Sequence, residues 1–204
     1  MNYDAAVRYL LTLGRELAAP TQAAAAKFDL ENITILAQRL GRPERAYPSA
    51  HIAGTNGKGS TAAFLESILR CAGFRTGLNT SPHLERINER IRINGEEISD
   101  DSFAETFTRI RFLIEELLAD GKLRAHPTYF ECVTAMAFES FARERVEFGV
   151  FEVGDEGGSL NFPLFAFGAA HKPLVGLGVV FDVRLAVSST TNIEGHYRLH
   201  LECC

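Results

Sequence analysis

The stretch His51-Ile-Ala-Gly-Thr-Asn-Gly-Lys-Gly-Ser-Thr61 contains the end of a short apolar strand, a glycine-rich loop and the start of a helix. Its three glycines let the backbone turn tightly and bring N–H groups close to an anion, because no Cβ intervenes. We expect the helix to open at Ser60, where it adds free N–H groups and the positive end of its dipole. Lys58 supplies a positive charge for the outer phosphates, and Ser60 or Thr61 can reach a magnesium ion. The stretch predicts a site for a nucleoside triphosphate; the alternative is a glycine-rich turn with a chance lysine.

Composition excludes several classes of protein. The chain has 204 residues, enough for one well-buried α/β domain, and its 46% hydrophobic and 23% charged residues are ordinary globular values. A net charge of −5 without a Lys/Arg-rich run argues against nucleic-acid binding. There is no apolar stretch of membrane-spanning length, and Met1-Asn-Tyr-Asp lacks the basic start of a signal peptide, so we expect a cytoplasmic protein without membrane contact. We also expect a monomer. The cysteines form no CxxC pair, which argues against a zinc site; we expect Cys71 and Cys132 to pack as small hydrophobes.

Hydrophobic periodicity predicts helices that alternate with short strands. Helices are expected over 3–18 and 30–40, after the glycine-rich loop, after the capping residue Ser99, and from Pro127 onward. Strands are expected at 50–53, 75–80 and 146–153, with a hairpin over 91–98. The nearly continuous apolar run Val146–Val153 is typical of a central parallel strand. These elements predict an α/β fold with a doubly wound, mostly parallel sheet that binds ligands at the carboxyl ends of its strands.

The same patterns predict which side chains are buried. The expected inward-facing residues of three helices are Phe64, Leu65, Ile68 and Leu69; Phe103, Phe107, Ile110, Ile114 and Leu117; and Phe130, Val133, Ala137, Phe138 and Phe141.

Glu152 is the candidate acidic partner of the phosphate loop. It lies at the carboxyl end of the predicted strand 146–153, and ATP chemistry usually needs a magnesium ligand at the end of a neighbouring buried strand. An acid within an apolar strand is costly to bury without a partner, and a metal ion is one such partner. The alternative is a half-exposed glutamate at a strand end.

Several ordered motifs together resemble one family. Gly59 stands where the common P-loop has Ser or Thr, and this spacing is similar to the variant P-loop of the Mur ligase superfamily. Within it the chain resembles the folylpolyglutamate synthase family, which in many bacteria is also dihydrofolate synthase. The motifs that carry the resemblance span about residues 2–154: Phe28-Asp-Leu30, the phosphate loop, Leu65-Glu-Ser-Ile-Leu69, Thr80-Ser-Pro-His-Leu84, Asn88-Glu-Arg-Ile-Arg-Ile-Asn-Gly95, Thr128-Tyr-Phe-Glu131 and Phe151-Glu-Val-Gly154.

The resemblance implies a role for each matching residue. The ATP phosphates would be held by Gly54, Thr55, Asn56, Gly57, Lys58, Gly59, Ser60 and Thr61, with Lys58 as the catalytic cation. Ser81 and Glu152 would coordinate Mg²⁺. The pteroate pocket would be lined by Lys27, Phe28, Asp29, Leu30, His83, Thr128, Tyr129, Phe130 and Glu131. Read without the family, Ser81-Pro-His83 is a turn, Arg90 a solvated strand residue and Glu131 an exposed helix residue.

The implied activity is an ATP-dependent ligase. It would join L-glutamate to a carboxylate of dihydropteroate or a folate such as tetrahydrofolate through an acyl phosphate. The sequence departs from the family after Gly154. In Asp155-Glu-Gly-Gly-Ser-Leu-Asn161 the glycine pair is not followed by the Arg and Asp that the family has there. We therefore expect a Mur-ligase-like ATP-binding domain over 1–154, a divergent tail over 155–204 and no C-terminal ligase domain. The alternatives are a nucleotide- or folate-binding remnant without catalysis and, less favoured, a P-loop kinase with a small acceptor.

Overall fold

A computed structural model describes residues 1–13, 31–52 and 56–153, and the backbone of 180–181 and 199–200. The predictions for Gly54, Thr55, Lys27–Leu30 and most of the tail fall outside these residues.

The main sheet has five strands in the order β1-β5-β2-β3-β4. Its bounds are Ser49–Ile52 (β1), Thr76–Asn79 (β2), Ile91–Ile93 (β3), Glu96–Glu97 (β4) and Phe148–Glu152 (β5). Strand β5 pairs in parallel with both β1 and β2, whereas β3 and β4 form an antiparallel hairpin that pairs with β2. Strands Val180–Phe181 (β6) and Leu199–His200 (β7) form a separate antiparallel pair. The predicted central parallel strand and the predicted hairpin are both confirmed.

Five α-helices are described, and they cover both faces of the sheet. They are Tyr3–Thr12 (α1), Glu31–Arg39 (α2), Lys58–Cys71 (α3), Asp100–Ala119 (α4) and Tyr129–Arg143 (α5). One apolar cluster joins α3 to β1, β2 and β5, and a larger one joins α1, α2, α4 and α5 to the other face. The predicted doubly wound, mostly parallel α/β sheet is therefore confirmed. No helix within the described part of the chain is long and apolar enough to cross a membrane.

The apolar stripe predicted for α4 is buried in full, and the helix has the N-cap that the sequence predicts. Ser99 caps α4 by accepting a hydrogen bond from the Ser102 amide at 3.1 Å. Phe103, Phe107, Ile110, Ile114 and Leu117 are each 3% exposed or less. This helix reads correctly from the sequence because its cap and its period agree.

Of the four residues predicted for the buried face of α3, Leu65 and Leu69 are buried, whereas the predictions for Phe64 and Ile68 are wrong. Phe64 is 63% exposed and Ile68 is only half-buried, while Ala62, Leu65, Glu66 and Leu69 are buried. Glu66 can occupy an inward position because its carboxylate accepts hydrogen bonds from Thr76 Oγ1 at 2.5 Å and from Arg70 Nε at 3.1 Å. The helix also begins at Lys58, two residues before the predicted Ser60.

Two other side chains lie differently from their predictions. Cys132 is buried as expected, but Cys71 is exposed because it lies at the last turn of α3, beyond the buried stripe. Phe130 is half-buried rather than fully inward, because it follows Tyr129 at the first turn of α5, where Tyr129 takes the buried position.

The first testable prediction concerns His51 on β1. Burial lowers the pKa of His51 from 6.5 to about 4; its Nε2 lies 3.3 Å from Ser49 Oγ and its ring centroid 5.4 Å from that of Phe151. Between these pKa values the unfolded chain binds more protons than the folded protein, so stability falls as the pH decreases through this window. We expect His51 to lower the free energy of unfolding by on the order of 2 kcal/mol as the pH falls from 7 to 5.

Urea unfolding at pH 7 and pH 5 checks this for the natural sequence and for His51→Gln. Between pH 7 and pH 5 the natural sequence should lose more stability than His51→Gln does. A difference that stays constant with pH would contradict the burial of a neutral imidazole.

Candidate functional site

The turn from the glycine-rich loop into α3 has the geometry of an anion-binding helix start. Gly57 has φ +74°, a left-handed conformation that favours glycine, and it is the N-cap of α3. The Thr61 amide and the Thr61 hydroxyl both donate to the Gly57 carbonyl at 2.9 Å. This closes the first turn, so the amides of residues 58–60 come before the first intrahelical bond and form the positive end of the helix.

The side chains of this turn divide between solvent and the sheet. Asn56 and Ser60 are exposed, whereas Lys58 and Gly59 are half-buried. Since the Thr61 hydroxyl is already a donor to the Gly57 carbonyl, Ser60 keeps the freer hydroxyl of the two predicted metal-reaching residues. The role of these residues in phosphate binding stays a prediction.

Glu152 brings two loops together at the carboxyl end of the sheet. It is 8% exposed, and its Oε2 accepts a hydrogen bond from the Ser81 amide at 3.0 Å. A Cβ added at Gly59 would lie 3.3 Å from the same oxygen, so the carboxylate packs against the first turn of α3. Glu152 therefore lies between the phosphate-loop helix and the Ser81 loop, where a buried negative charge meets the positive end of a helix.

The oxygen atoms around Glu152 are of the kind that Mg²⁺ prefers. The carboxylate of Glu152 and the hydroxyl of Ser81 belong to residues already in hydrogen-bond contact. Among the described residues no group of three or more His, Cys, Asp or Glu side chains could hold a metal ion. Mg²⁺ does not need such a group, because it commonly binds one or two carboxylates, waters and substrate phosphates. The donor set fits the predicted magnesium site, whose assignment stays a prediction.

The Ser81 loop is held at its far end by Glu89. The Glu89 carboxylate accepts hydrogen bonds from the amides of Leu84, Glu85 and Arg86 at 2.9, 2.8 and 2.7 Å. These backbone donors lower the pKa of Glu89 to about 2, so the carboxylate is ionised at neutral pH. The loop between Glu152 and Glu89 is thus fixed at both ends by carboxylate–amide contacts.

The start of α5 carries four of the predicted substrate residues. Thr128 is the N-cap, and its hydroxyl accepts from the Glu131 amide at 3.2 Å. The Glu131 carboxylate accepts in turn from the Thr128 amide at 2.7 Å and from the Thr128 hydroxyl at 2.8 Å. This is a capping box, and both bonds to Glu131 use Oε2, so the capping box does not use its second carboxylate oxygen.

Arg90 connects the Ser81 loop to the start of α5, and its burial differs from what the sequence predicts. Read without the family it is a solvated strand residue, but it is 3% exposed and lies in a 3₁₀ turn, Ile87–Arg90. Its Nε donates to His83 Nδ1 at 2.8 Å, and its guanidinium carbon lies 5.3 Å from the centroid of the Tyr129 ring. The structure therefore brings His83 and Tyr129 together through a residue that no spacing rule identifies.

An open cavity of about 370 Å³ lies elsewhere, between the β3–β4 hairpin and helices α4 and α5. Its lining includes Arg75, which precedes β2, so the cavity is at the amino ends of the parallel strands. Ligands of open α/β sheets bind at the carboxyl ends, where Glu152 and Ser81 meet, and we place the candidate site there.

Comparison with known proteins gives partial matches to one group of ligases. The chain is 43% identical over 158 residues to a probable bifunctional folylpolyglutamate synthase/dihydropteroate synthase of Halobacterium salinarum, covering 77% of this chain and 18% of that protein. It is 44% identical over 120 residues to the dihydrofolate synthase/folylpolyglutamate synthase of Bacillus subtilis, covering 58% of this chain and 27% of that protein. The chain thus spans less than a third of the length of these curated relatives. No protein-family model matches the chain.

Solved structures give the same result for the fold. The folylpolyglutamate synthase of Thermotoga maritima is 38% identical with a TM-score of 0.64, covering 74% of this chain and 33% of that one. A complex of such a synthase with AMPPCP and folate is 35% identical with a TM-score of 0.67, covering 76% of this chain and 35% of that one. In sequence and in fold the chain matches the N-terminal portion of these synthases, as the motifs predicted.

The capping box of α5 gives the second prediction. Thr128→Ala removes the acceptor for the Glu131 amide and a donor to the Glu131 carboxylate, and we expect it to lower the free energy of unfolding by about 1 kcal/mol. Glu131→Ala should cost a similar amount, and the double variant less than the sum, because the two residues act on each other. Ser99→Ala is the matched control, an N-cap with the same bond to a backbone amide but no glutamate three residues later. Chemical denaturation measures the stability of all four variants. A Glu131→Ala variant as stable as the natural sequence would show that Glu131 does not stabilise the helix start.

Proposed function

Because the chain shares sequence and fold with the N-terminal portion of folylpolyglutamate and dihydrofolate synthases, we propose that it works in an ATP-dependent ligase of this type. The ligase joins L-glutamate to a carboxylate of dihydropteroate or of a folate. The observation that carries the proposal is the meeting of Glu152, Ser81 and the first turn of α3 at one edge of the sheet. We further propose that it acts in the cytoplasm as a monomer.

The phosphate side of the site is built to neutralise negative charge. The first turn of α3 lies against Glu152 at the end of the sheet, and Lys58 is the first residue of that helix. We propose that the early amides of α3 and the ammonium group of Lys58 bind the phosphates. Charge that develops on a transferring phosphoryl group would be stabilised by these donors without reorganisation, because the backbone already holds them in place. Ser81 and Glu152 would hold Mg²⁺, and when bound the ion supplies Lewis-acid stabilisation of phosphate oxygens.

The proposed reaction has two steps. A carboxylate oxygen of the folate or dihydropteroate attacks the γ-phosphorus of ATP, which forms an acyl phosphate and releases ADP. The amino group of L-glutamate then attacks the acyl carbon, the bond to the phosphate oxygen breaks, and an amide, inorganic phosphate and a proton result. The activated intermediate replaces one difficult condensation by two easier steps.

The substrate side is proposed to begin at His83 and the start of α5. Tyr129 and His83 both contact Arg90, so a pteroate ring at the start of α5 would lie close to the Ser81 loop. Tyr129 is 5% exposed, and therefore acts as the floor of such a pocket, while the half-buried Phe130 and the second Glu131 oxygen are open to a ligand. The resemblance also assigns Lys27–Leu30 to this pocket, and these residues lie outside the described part of the chain.

A second candidate function is nucleotide or folate binding without catalysis. The sequence Asp155–Asn161 favours this candidate, because the arginine and the aspartate that follow the glycine pair in the family are missing from it. The two candidates share the site described above and differ only in turnover.

The third prediction tests the metal assignment. Glu152→Gln keeps an oxygen that can accept from the Ser81 amide but removes the negative charge, so the fold should survive while Mg-ATP affinity falls by roughly tenfold or more. Titration calorimetry with ATP in the presence of Mg²⁺ and of EDTA measures this; the gain in affinity from Mg²⁺ should disappear in the variant. Glu139→Gln is the matched control, because Glu139 on α5 is also buried but pairs with Arg109 on α4 at 2.9 Å. Equal dependence on Mg²⁺ in both variants would remove Glu152 from the metal site.

The fourth prediction separates the two candidate functions. The protein is mixed with Mg-ATP, L-glutamate and either dihydropteroate or tetrahydrofolate, and phosphate release and the amide product are measured. A ligase produces both, and Lys58→Ala abolishes them because the cation that neutralises the phosphoryl group is lost. Mg-ATP binding that depends on Lys58 without any product would instead support the binding protein. Phosphate transfer that does not require glutamate would support a kinase.

A further inference from the structure

The cavity of about 370 Å³ at the amino ends of the parallel strands lies apart from the candidate active site, and the ligase function proposed above does not use it. Its volume is at the lower end of the range of small-molecule pockets, so a small ligand fits it. Four elements form it: the residue before β2, the β3–β4 hairpin, the first two turns of α4 and the last turn of α5. The charges and hydroxyl groups of these elements indicate which kind of ligand it takes.

Both guanidinium groups of the cavity already have carboxylate partners. Arg75 Nη2 donates to a carboxylate oxygen of Glu144 at 2.5 Å, and Arg75 Nε donates to the Glu144 carbonyl at 2.7 Å. Arg143 Nη2 donates to Glu105 Oε1 at 2.9 Å, and this bond joins α5 to α4. An anionic ligand would have to compete with these carboxylates, so the two arginines do not make the cavity an anion site.

The β3–β4 hairpin adds two further carboxylates to the cavity. Its turn is Asn94-Gly95, with φ +52° and +89°, a conformation that Asn-Gly favours in tight hairpins. Of the two glutamates that follow, Glu97 lies 3.7 Å from Arg92, and Glu96 has no ion pair or hydrogen bond with the described residues. The lining contains two arginines and three glutamates, which leaves one net negative charge. The uncompensated carboxylate is that of Glu96.

The helix ends at the cavity do not reverse this balance. The positive end of α4 is compensated by its cap Ser99 and by Asp100 and Asp101 in its first turn. The negative end of α5 is met by Arg143 in the last turn of that helix. The lining therefore keeps its net negative charge, which favours a positively charged ligand.

Hydroxyl groups form the buried part of the cavity. Thr106 and Ser140 both line it, and they are 1% and 3% exposed. The buried Oγ of Ser140 has no hydrogen-bond partner in the part of the chain that the structure describes. A buried hydroxyl without a partner is costly, and a donor group of a ligand that reaches this oxygen would supply the missing bond.

We propose that this cavity binds a small aliphatic amine in its protonated form, with an ammonium group at Glu96 and a second donor group of the ligand at the Ser140 hydroxyl. Ile93 and Ile98 belong to the same lining, and methylene groups gain by burial against them, which favours an organic cation over a metal ion. The site is at the opposite edge of the sheet from Glu152 and does not depend on the proposed ligase function.

The first experiment compares three ligands of equal chain length. Titration calorimetry at low salt measures the binding of 1,4-diaminobutane, 1,4-butanediol and 4-aminobutyrate, which differ only in their polar ends. We expect the diamine to bind about tenfold more tightly than the other two, and its affinity to fall as salt is added, because Glu96 is exposed. Binding of the diol or of the aminobutyrate that equals or exceeds that of the diamine overturns the proposal.

The second experiment locates the site with substitutions. Glu96→Gln removes the uncompensated charge and should weaken diamine binding by about tenfold. Glu115→Gln is the matched control, because Glu115 is also an exposed glutamate but lies outside the cavity and pairs with Arg111. Ser140→Ala removes a hydroxyl that has no bond to lose, so it should weaken diamine binding by about threefold without lowering the free energy of unfolding. Unchanged diamine affinity in Glu96→Gln or in Ser140→Ala overturns the proposal.

Backbone amide NMR spectra place the bound diamine and report on the fold of each variant. The signals of residues 94–98 and 140–144 should shift as the diamine is added, and those of residues 81–84 should not. Lys58→Ala should keep the full diamine affinity, whether or not the protein is a ligase, because Lys58 lies at the other edge of the sheet. If Glu96→Gln or Ser140→Ala does not fold, Ser102→Leu replaces it, since this half-buried position lines the cavity and a larger side chain would block it. Full diamine affinity in Ser102→Leu, or shifts confined to residues 81–84, would place the ligand elsewhere and overturn the proposal.

Discussion

The position of β5 between β1 and β2 is the constraint on which the candidate site depends. Because all three strands are parallel, their carboxyl ends meet at one edge, and the last residue of the middle strand faces the loops that leave both neighbours. Glu152 occupies that position, and it contacts the first turn of α3 on one side and the Ser81 amide on the other. A shift of β5 to an edge of the sheet would leave Glu152 next to only one of these loops.

Much of this architecture could be predicted from the sequence, because the deciding signals are local. The apolar run of β5, the caps Ser99 and Thr128, and the stripe of α4 each lie within one element, where period and capping chemistry point the same way. Glu152 could be placed for the same reason, since an acid at the end of a buried apolar strand is visible without knowledge of its partners. Its contacts with Gly59 and the Ser81 amide had to come from the structure.

The residues that the sequence misplaces are those whose burial depends on distant partners. Glu66 is buried because Thr76 approaches from β2, and this turns α3 so that Phe64 faces solvent. Arg90 is buried because His83 and Tyr129 surround its side chain, although Tyr129 is on a different helix. In both cases the polarity of the side chain predicts exposure, and satisfied hydrogen bonds across the fold reverse that expectation. The polarity of a single residue cannot predict such burial, since burial here depends on a partner elsewhere in the fold.

The phosphate side and the substrate side of the candidate site are joined by one short loop. Ser81 at its start is held by Glu152, His83 is held by Arg90, and the amides of 84–86 are held by Glu89. Helix packing sets the position of α3 and α5 in different apolar clusters on opposite faces of the sheet, and so does not by itself fix the distance between them at the ligand end. That distance is set by the loop, whose two ends are anchored by carboxylates and whose middle is anchored by a guanidinium. In the proposed reaction a phosphoryl group and an acceptor carboxylate would have to be closely aligned for transfer, and a loop fixed at three points by charge-assisted hydrogen bonds would hold that alignment better than side-chain packing across the sheet.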